Sequence, residues 1–163
     1  MQATSAAKIS VGLAEIFPPE AIVVGLKSRT KQGAIAELVR HLVRLGYITE
    51  DEEGAVVDSI LAREKHGSIA LYDGVAFPHC RSSFTERFAG VLGIEPAGIP
   101  FDAVSGGPVQ SIFLFLAPLE RREELYEVLG RITAIGRDKS RRAQLRGCRS
   151  AEAAHRFLQE LDR

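Results

Sequence analysis

Apolar side chains recur along this chain with two different periods. From Lys31 to Leu45, Ile35, Leu38, Val39 and Leu42 share one stripe that stops at Gly46, the spacing of a helix with one buried face. Asp51 to Ala62 repeats it with Val56, Val57, Ile60 and Leu61, and Glu120 to Gly136 with Leu125, Val128, Leu129, Ile132 and Ile135. Lys139 to Arg146 and Ser150 to Leu161 predict two closing helices. Elsewhere the helical period vanishes. Ile22 to Leu26, Val75 to Phe77, Phe88 to Ile94 and Val109 to Leu116 are short continuous apolar runs bounded by Gly, Pro and Ser, which is how strands covered on both faces read. Helices on either side of such strands predict an α/β fold: one three-layer domain, a mixed β-sheet with helices on both faces. Residues 1–10 are small and polar without period and read as a flexible N-terminal tail, leaving 11–163 as the folded domain.

Bulk properties narrow the function. The length of 163 residues suits one domain that buries about 70% of its unfolded surface. Its 21 basic and 21 acidic residues cancel, so neither a nucleic-acid footprint nor a basic membrane anchor is expected, and partners should be proteins or small molecules. Ser111 to Pro118, the longest apolar stretch, is too short to span a bilayer, and Met1 to Ser5 lacks the basic start and apolar core of a signal peptide, so a soluble, cytoplasmic protein is expected. Cys80 and Cys148 are far apart without metal-ligand spacing. They predict free thiols, and no metal or cofactor is implied.

The chemistry concentrates at Gly74-Val75-Ala76-Phe77-Pro78-His79-Cys80. Pro78 has no N–H to donate and should stop the strand, presenting His79 where strand gives way to loop. Two readings follow, a nucleophile or a histidine that merely caps or packs the strand end. Flanking segments favour the first: Arg63-Glu64-Lys65-His66-Gly67-Ser68 upstream and Cys80-Arg81-Ser82-Ser83 downstream are both polar and basic. A metal cluster of His66, His79 and Cys80 is disfavoured because neighbours on an extended chain point to opposite sides. A thiol made reactive by the adjacent imidazole is a further alternative for Cys80. His41 and His155 sit on helices and read as boundary and surface residues.

The order and spacing of Arg63, Glu64, Gly67, Ser68, Gly74, Val75, Ala76, Pro78 and His79, with Phe101-Asp102-Ala103 before an apolar strand ending at Pro118, resemble the enzyme IIA domains of the mannitol/fructose class of the bacterial phosphoenolpyruvate-dependent sugar phosphotransferase system. The nitrogen-regulatory branch is the closer likeness, around Pro118. The chain departs from the pattern at Ile69, usually Thr, at Asp73, usually Asn, and at Cys80, usually Gly. Many members also carry a second histidine where this chain has Leu125, which by its place in the apolar stripe reads as packing.

The resemblance implies a phosphotransferase component that accepts a phosphoryl group on His79 as a phosphohistidine. Arg63 is then the first candidate for neutralising the phosphate, as a planar, permanently charged fork, against an ordinary solvated helix-end arginine; Ser68 and Arg81 are further phosphate donors or plain loop residues. The implied donor is HPr or its nitrogen-branch relative. The acceptor is a cysteine on a IIB permease domain, or else the phosphorylation state is read by a regulatory target protein. The alternative is a degenerate IIA-like interaction module without useful transfer, motivated by Leu125, Ile69 and Cys80.

Overall fold

The computed structural model describes residues 11–64, 74–101 and 107–163. The tail expected over residues 1–10 lies outside them. Five strands, β1 (Ile22–Val24), β2 (Gly74–Ala76), β3 (His79–Ser82), β4 (Ala89–Ile99) and β5 (Val109–Pro118), form one sheet, with helices α1 (Leu13–Ile16), α2 (Lys31–Arg44), α3 (Glu50–Glu64), α4 (Arg122–Arg137), α5 (Lys139–Arg146) and α6 (Ala151–Leu161). Local chemistry sets several of these ends. Thr30 caps α2 by accepting from the Gly33 N–H at 3.0 Å, and Gly46 follows that helix at φ +81°, a left-handed turn that glycine adopts without a Cβ penalty. Asp138 and Ser150 cap α5 and α6 in the same way as Thr30.

The sheet runs β1–β4–β5, with β2 and β3 both paired to the far side of β5. Only β4 and β5 are antiparallel; the other pairings are parallel. Helices cover both faces, as the hydrophobic pattern predicts. On one, Ile35, Leu38, Leu42, Val56 and Ile60 of α2 and α3 pack with Ala76, Cys80, Leu114 and Leu116. On the other, Val128, Ile132 and Leu158 of α4 and α6 pack with Val75, Phe77, Phe113 and Phe115. The alternation along β5 therefore sends its even-numbered residues from 112 to 116 to the α2–α3 layer and its odd-numbered ones to the α4–α6 layer.

Two features depart from the sequence expectations. Pro78 does not end the ladder. It sits on an edge strand with its carbonyl accepting the Phe115 N–H at 3.1 Å, so the missing donor costs no inter-strand bond, and pairing resumes with His79 opposite Phe115 through Ser82 opposite Pro118. The expected loop after His79 is strand β3. The second departure is α1, a single turn stabilised from the other end of the chain. The Asp162 carboxylate accepts the Leu13 N–H at 3.0 Å and the Ala14 N–H at 2.8 Å while pairing with Arg131 at 3.2 Å. Such a helix leaves no periodic trace, because its cap lies beyond the reach of local sequence.

Candidate functional site

His79 opens β3 on the face that carries Phe77 and Phe115, and it is only 2% exposed. This corrects the expectation of an open imidazole at a strand end: continuation of the ladder past Pro78 draws it under the edge of the sheet. Its Nδ1 lies 2.8 Å from the Phe77 carbonyl oxygen. A carbonyl only accepts, so Nδ1 carries the proton and the lone pair of the neutral ring resides on Nε2. No hydrogen bond engages Nε2 among the described residues.

Aromatic rings fix the imidazole from the side. Phe115 stacks on it at 5.0 Å between centroids and 8° between planes, and Phe77 lies tilted at 6.1 Å. Burial pushes the His79 pKa below its usual 6.5; the Phe77 hydrogen bond works against this, and the positive charge of Arg63 adds to it.

Tertiary structure brings the charge of Arg63 within electrostatic range of His79. It sits in the last turn of α3, which packs on β3, and its side chain is exposed with no ion pair among the described residues. Arg81 falls two residues beyond His79 on the same face of β3, is exposed, and donates to the Leu119 carbonyl, tying the strand to the turn before α4. Ser68 and His66 lie outside the described residues. Leu125 is buried in the first helical turns of α4 and belongs to the same apolar layer as Phe77 and Phe115.

The remaining candidates separate from this group. Cys80 points to the opposite, α2–α3 layer, and burial pushes its thiol up to about 11, the reverse of what an activated thiolate requires. No group of metal-ligating side chains occurs among the described residues. His41 is tied to the Glu20 carbonyl, and His155, half-buried, to the Ala14 carbonyl, each at 3.0 Å. His155 thus joins α6 to α1 and is not the plain surface residue its helix position predicts.

The sequence pattern of the enzyme IIA class extends beyond this cluster. A family model described as "Phosphoenolpyruvate-dependent sugar phosphotransferase system, EIIA 2" matches residues 15–161. The chain belongs to this family. Among individual relatives of the EIIA 2 chain, the nitrogen regulatory protein of Bradyrhizobium diazoefficiens is 34% identical over 146 residues, covering 90% of this chain and 94% of that one. The crystal structure of the nitrogen regulatory protein IIA-Ntr from Neisseria meningitidis superposes with a TM-score of 0.81 at 32% identity, covering 90% of this chain and 98% of that one. A solved complex of the Escherichia coli mannitol enzyme IIA with its phosphorylated enzyme IIB has the same fold, with a TM-score of 0.70 at 22% identity, covering 86% of this chain and 95% of that one. No helix among the described residues is long and apolar enough to cross a membrane.

The electrostatics of His79 in this EIIA 2 domain predict a pH profile. A pKa below 6.5 means that the fold favours the neutral ring. The stability this contributes is complete above the unfolded value and is lost as pH falls through the folded one. A phosphoryl acceptor must also be neutral, so any phosphoryl acceptance at His79 should stay level from pH 8 to about 6.5 and decline only below that, with a midpoint lower than that of a free imidazole. Initial rates measured against pH, beside an NMR titration of the ring, check this; a decline centred above 6.5 contradicts it.

Proposed function

We propose that this protein is a phosphoryl carrier in which Nε2 of His79 accepts a phosphoryl group from a histidine-phosphorylated carrier, HPr or a nitrogen-branch relative. The observation that supports it most is the state of the ring: Nδ1 is held by the Phe77 carbonyl at 2.8 Å while Nε2 has no hydrogen-bond partner among the described residues. The Nε2 lone pair attacks phosphorus as the donor's own P–N bond breaks. The donor imidazole keeps that electron pair, and the proton of His79 stays on Nδ1, which donates it to the Phe77 carbonyl. Phosphoryl transfer of this kind has a loose transition state with charge on the peripheral oxygens, so the protein's task is to position and neutralise. Arg63 supplies permanent positive charge, with Arg81 and Ser68 as further donors to the phosphate oxygens.

The onward step is passage to a cysteine of a IIB domain or readout of the phosphorylated state by a regulatory target. The regulatory role is favoured by the full-length likeness to nitrogen regulatory proteins at 30% identity or more. A second reading, an interaction module without useful transfer, draws on Leu125, which offers no second imidazole beside the first.

Incubation with phosphoenolpyruvate, enzyme I and the phosphocarrier separates the two. The carrier reading expects one acid-labile phosphate per chain and a wild-type rate that Leu125→His raises by no more than about tenfold, the gain from a single added hydrogen bond. Wild-type protein that stays unlabelled while Leu125→His becomes labelled would establish the module instead.

A further inference from the structure

The His79 ring turns about its Cβ–Cγ bond, and the Phe77 hydrogen bond at Nδ1 is the one polar contact among the described residues that opposes that rotation. A second restraint would hold the ring in the plane that keeps this bond. Here the first turns of α4 present Leu125, which cannot hydrogen-bond. What the ring meets face-on is Phe115, its Cα partner in the parallel ladder, fully buried, stacked at 5.0 Å and 8°.

Phe115 is itself backed. Phe88 lies against it at 6.3 Å and 37°, and the Arg121 guanidinium covers the Phe88 ring at 5.2 Å. A row of flat groups therefore runs from the turn before α4 to the imidazole. We infer that Phe115, held by Phe88, is a positioning residue for phosphoryl transfer: its face confines the His79 ring to the plane in which Nδ1 meets the Phe77 carbonyl and Nε2 faces the incoming phosphorus. The inference rests on His79 being the acceptor. It follows from geometry that a leucine at 115 would fill much of the same volume but offer no flat face, so the ring would sample other planes and lose alignment with the donor.

Phe113 provides the control. It is on the same strand and the same face, also fully buried, but it meets Phe17 edge-on at 5.4 Å. Phe115→Leu and Phe113→Leu remove equal apolar volume from one layer, and only the first touches the imidazole's support. Phosphorylated carrier is the donor in single-turnover assays, and the ring nitrogens of labelled His79 are read by NMR in the unphosphorylated proteins. Phe115→Leu should slow transfer at saturating carrier about tenfold or more, with the half-saturating carrier concentration unchanged, and should convert a single Nδ1–H tautomer into a mixture. Phe113→Leu should leave both as in wild type. If Phe115→Leu does not fold, Phe88→Leu, which strips the backing ring from a half-buried position, carries the same comparison with a smaller effect. Equal rates and one unchanged tautomer in Phe115→Leu, or equal losses in both variants, overturn the inference. A wild type that accepts no phosphate overturns the proposed function instead, and the tautomer comparison then still decides whether Phe115 holds the ring.

Discussion

His79→Gln protein should remain folded and take up no acid-labile phosphate from the phosphocarrier. Glutamine is polar and close in size, so it can keep a donor near the Phe77 carbonyl and avoid leaving an unpaired group in a site only 2% exposed. It has no nucleophilic nitrogen, since an amide nitrogen shares its lone pair with the carbonyl. Among the described residues, no bystander nucleophile is placed to take over. Cys80 faces the other layer with its thiol pushed to about 11, and His41 and His155 are each engaged with a backbone carbonyl, of Glu20 and Ala14 respectively. Loss should therefore be total to the limit of detection, with circular dichroism unchanged. Retained labelling in His79→Gln would place the acceptor elsewhere.

Arg63→Ala should lower the transfer rate by about a hundredfold, the usual consequence of removing one preorganised donor from developing oxyanion charge. The same change has a signature that simple weakening of the fold would lack. Arg63 helps hold the His79 pKa down, so its removal must raise that pKa and move the low-pH decline in rate upward. Because Arg63 is an exposed helix-end side chain, stability should change by no more than about 0.5 kcal/mol. Arg63→Lys retains the charge without the planar fork and should fall between the two, keeping the low pKa but transferring more slowly than wild type. Stopped-time assays and ring titrations on the three proteins measure both effects. An Arg63→Ala protein with the wild-type rate and wild-type His79 titration would remove Arg63 from the site.

What was legible in the sequence was whatever depends on short-range period and punctuation. The stripe from Ile35 to Leu42 specifies α2 because its apolar residues recur at helical spacing and Thr30 and Gly46 bound it. Along β5 the unbroken apolar run from Ile112 marks a strand covered on both faces, but which residues meet which helical layer emerges only from the packing. The ladder at His79 was misread because Pro78 carries an intrinsic signal to stop a strand, and only the parallel partner β5, with the Phe115 N–H donating to Pro78, shows that the proline sits on an edge and interrupts nothing. The imidazole consequently lies deeper than the local pattern implies.

Candidate residues follow the same division. His79 and Arg63 share a motif, and their mutual electrostatics require only that the end of α3 return to β3. Phe115 carried no signal at all, since one more aromatic in a buried strand is indistinguishable from core until the register pairs it with His79. Phe77 had a weak signal, two residues before His79 and hence on the same face. Asp162, which builds α1 from the far end of the chain, could not have been found by any local rule.

The most direct test of the central claim is the chemical identity of the phosphorylated atom. Protein labelled with nitrogen-15 in histidine, phosphorylated through the phosphocarrier and examined by NMR through phosphorus–nitrogen coupling, should show a single phosphohistidine at residue 79 bonded through Nε2, with Nδ1 still protonated. Phosphate on Nδ1 of His79, on another residue, or absent altogether would contradict the account.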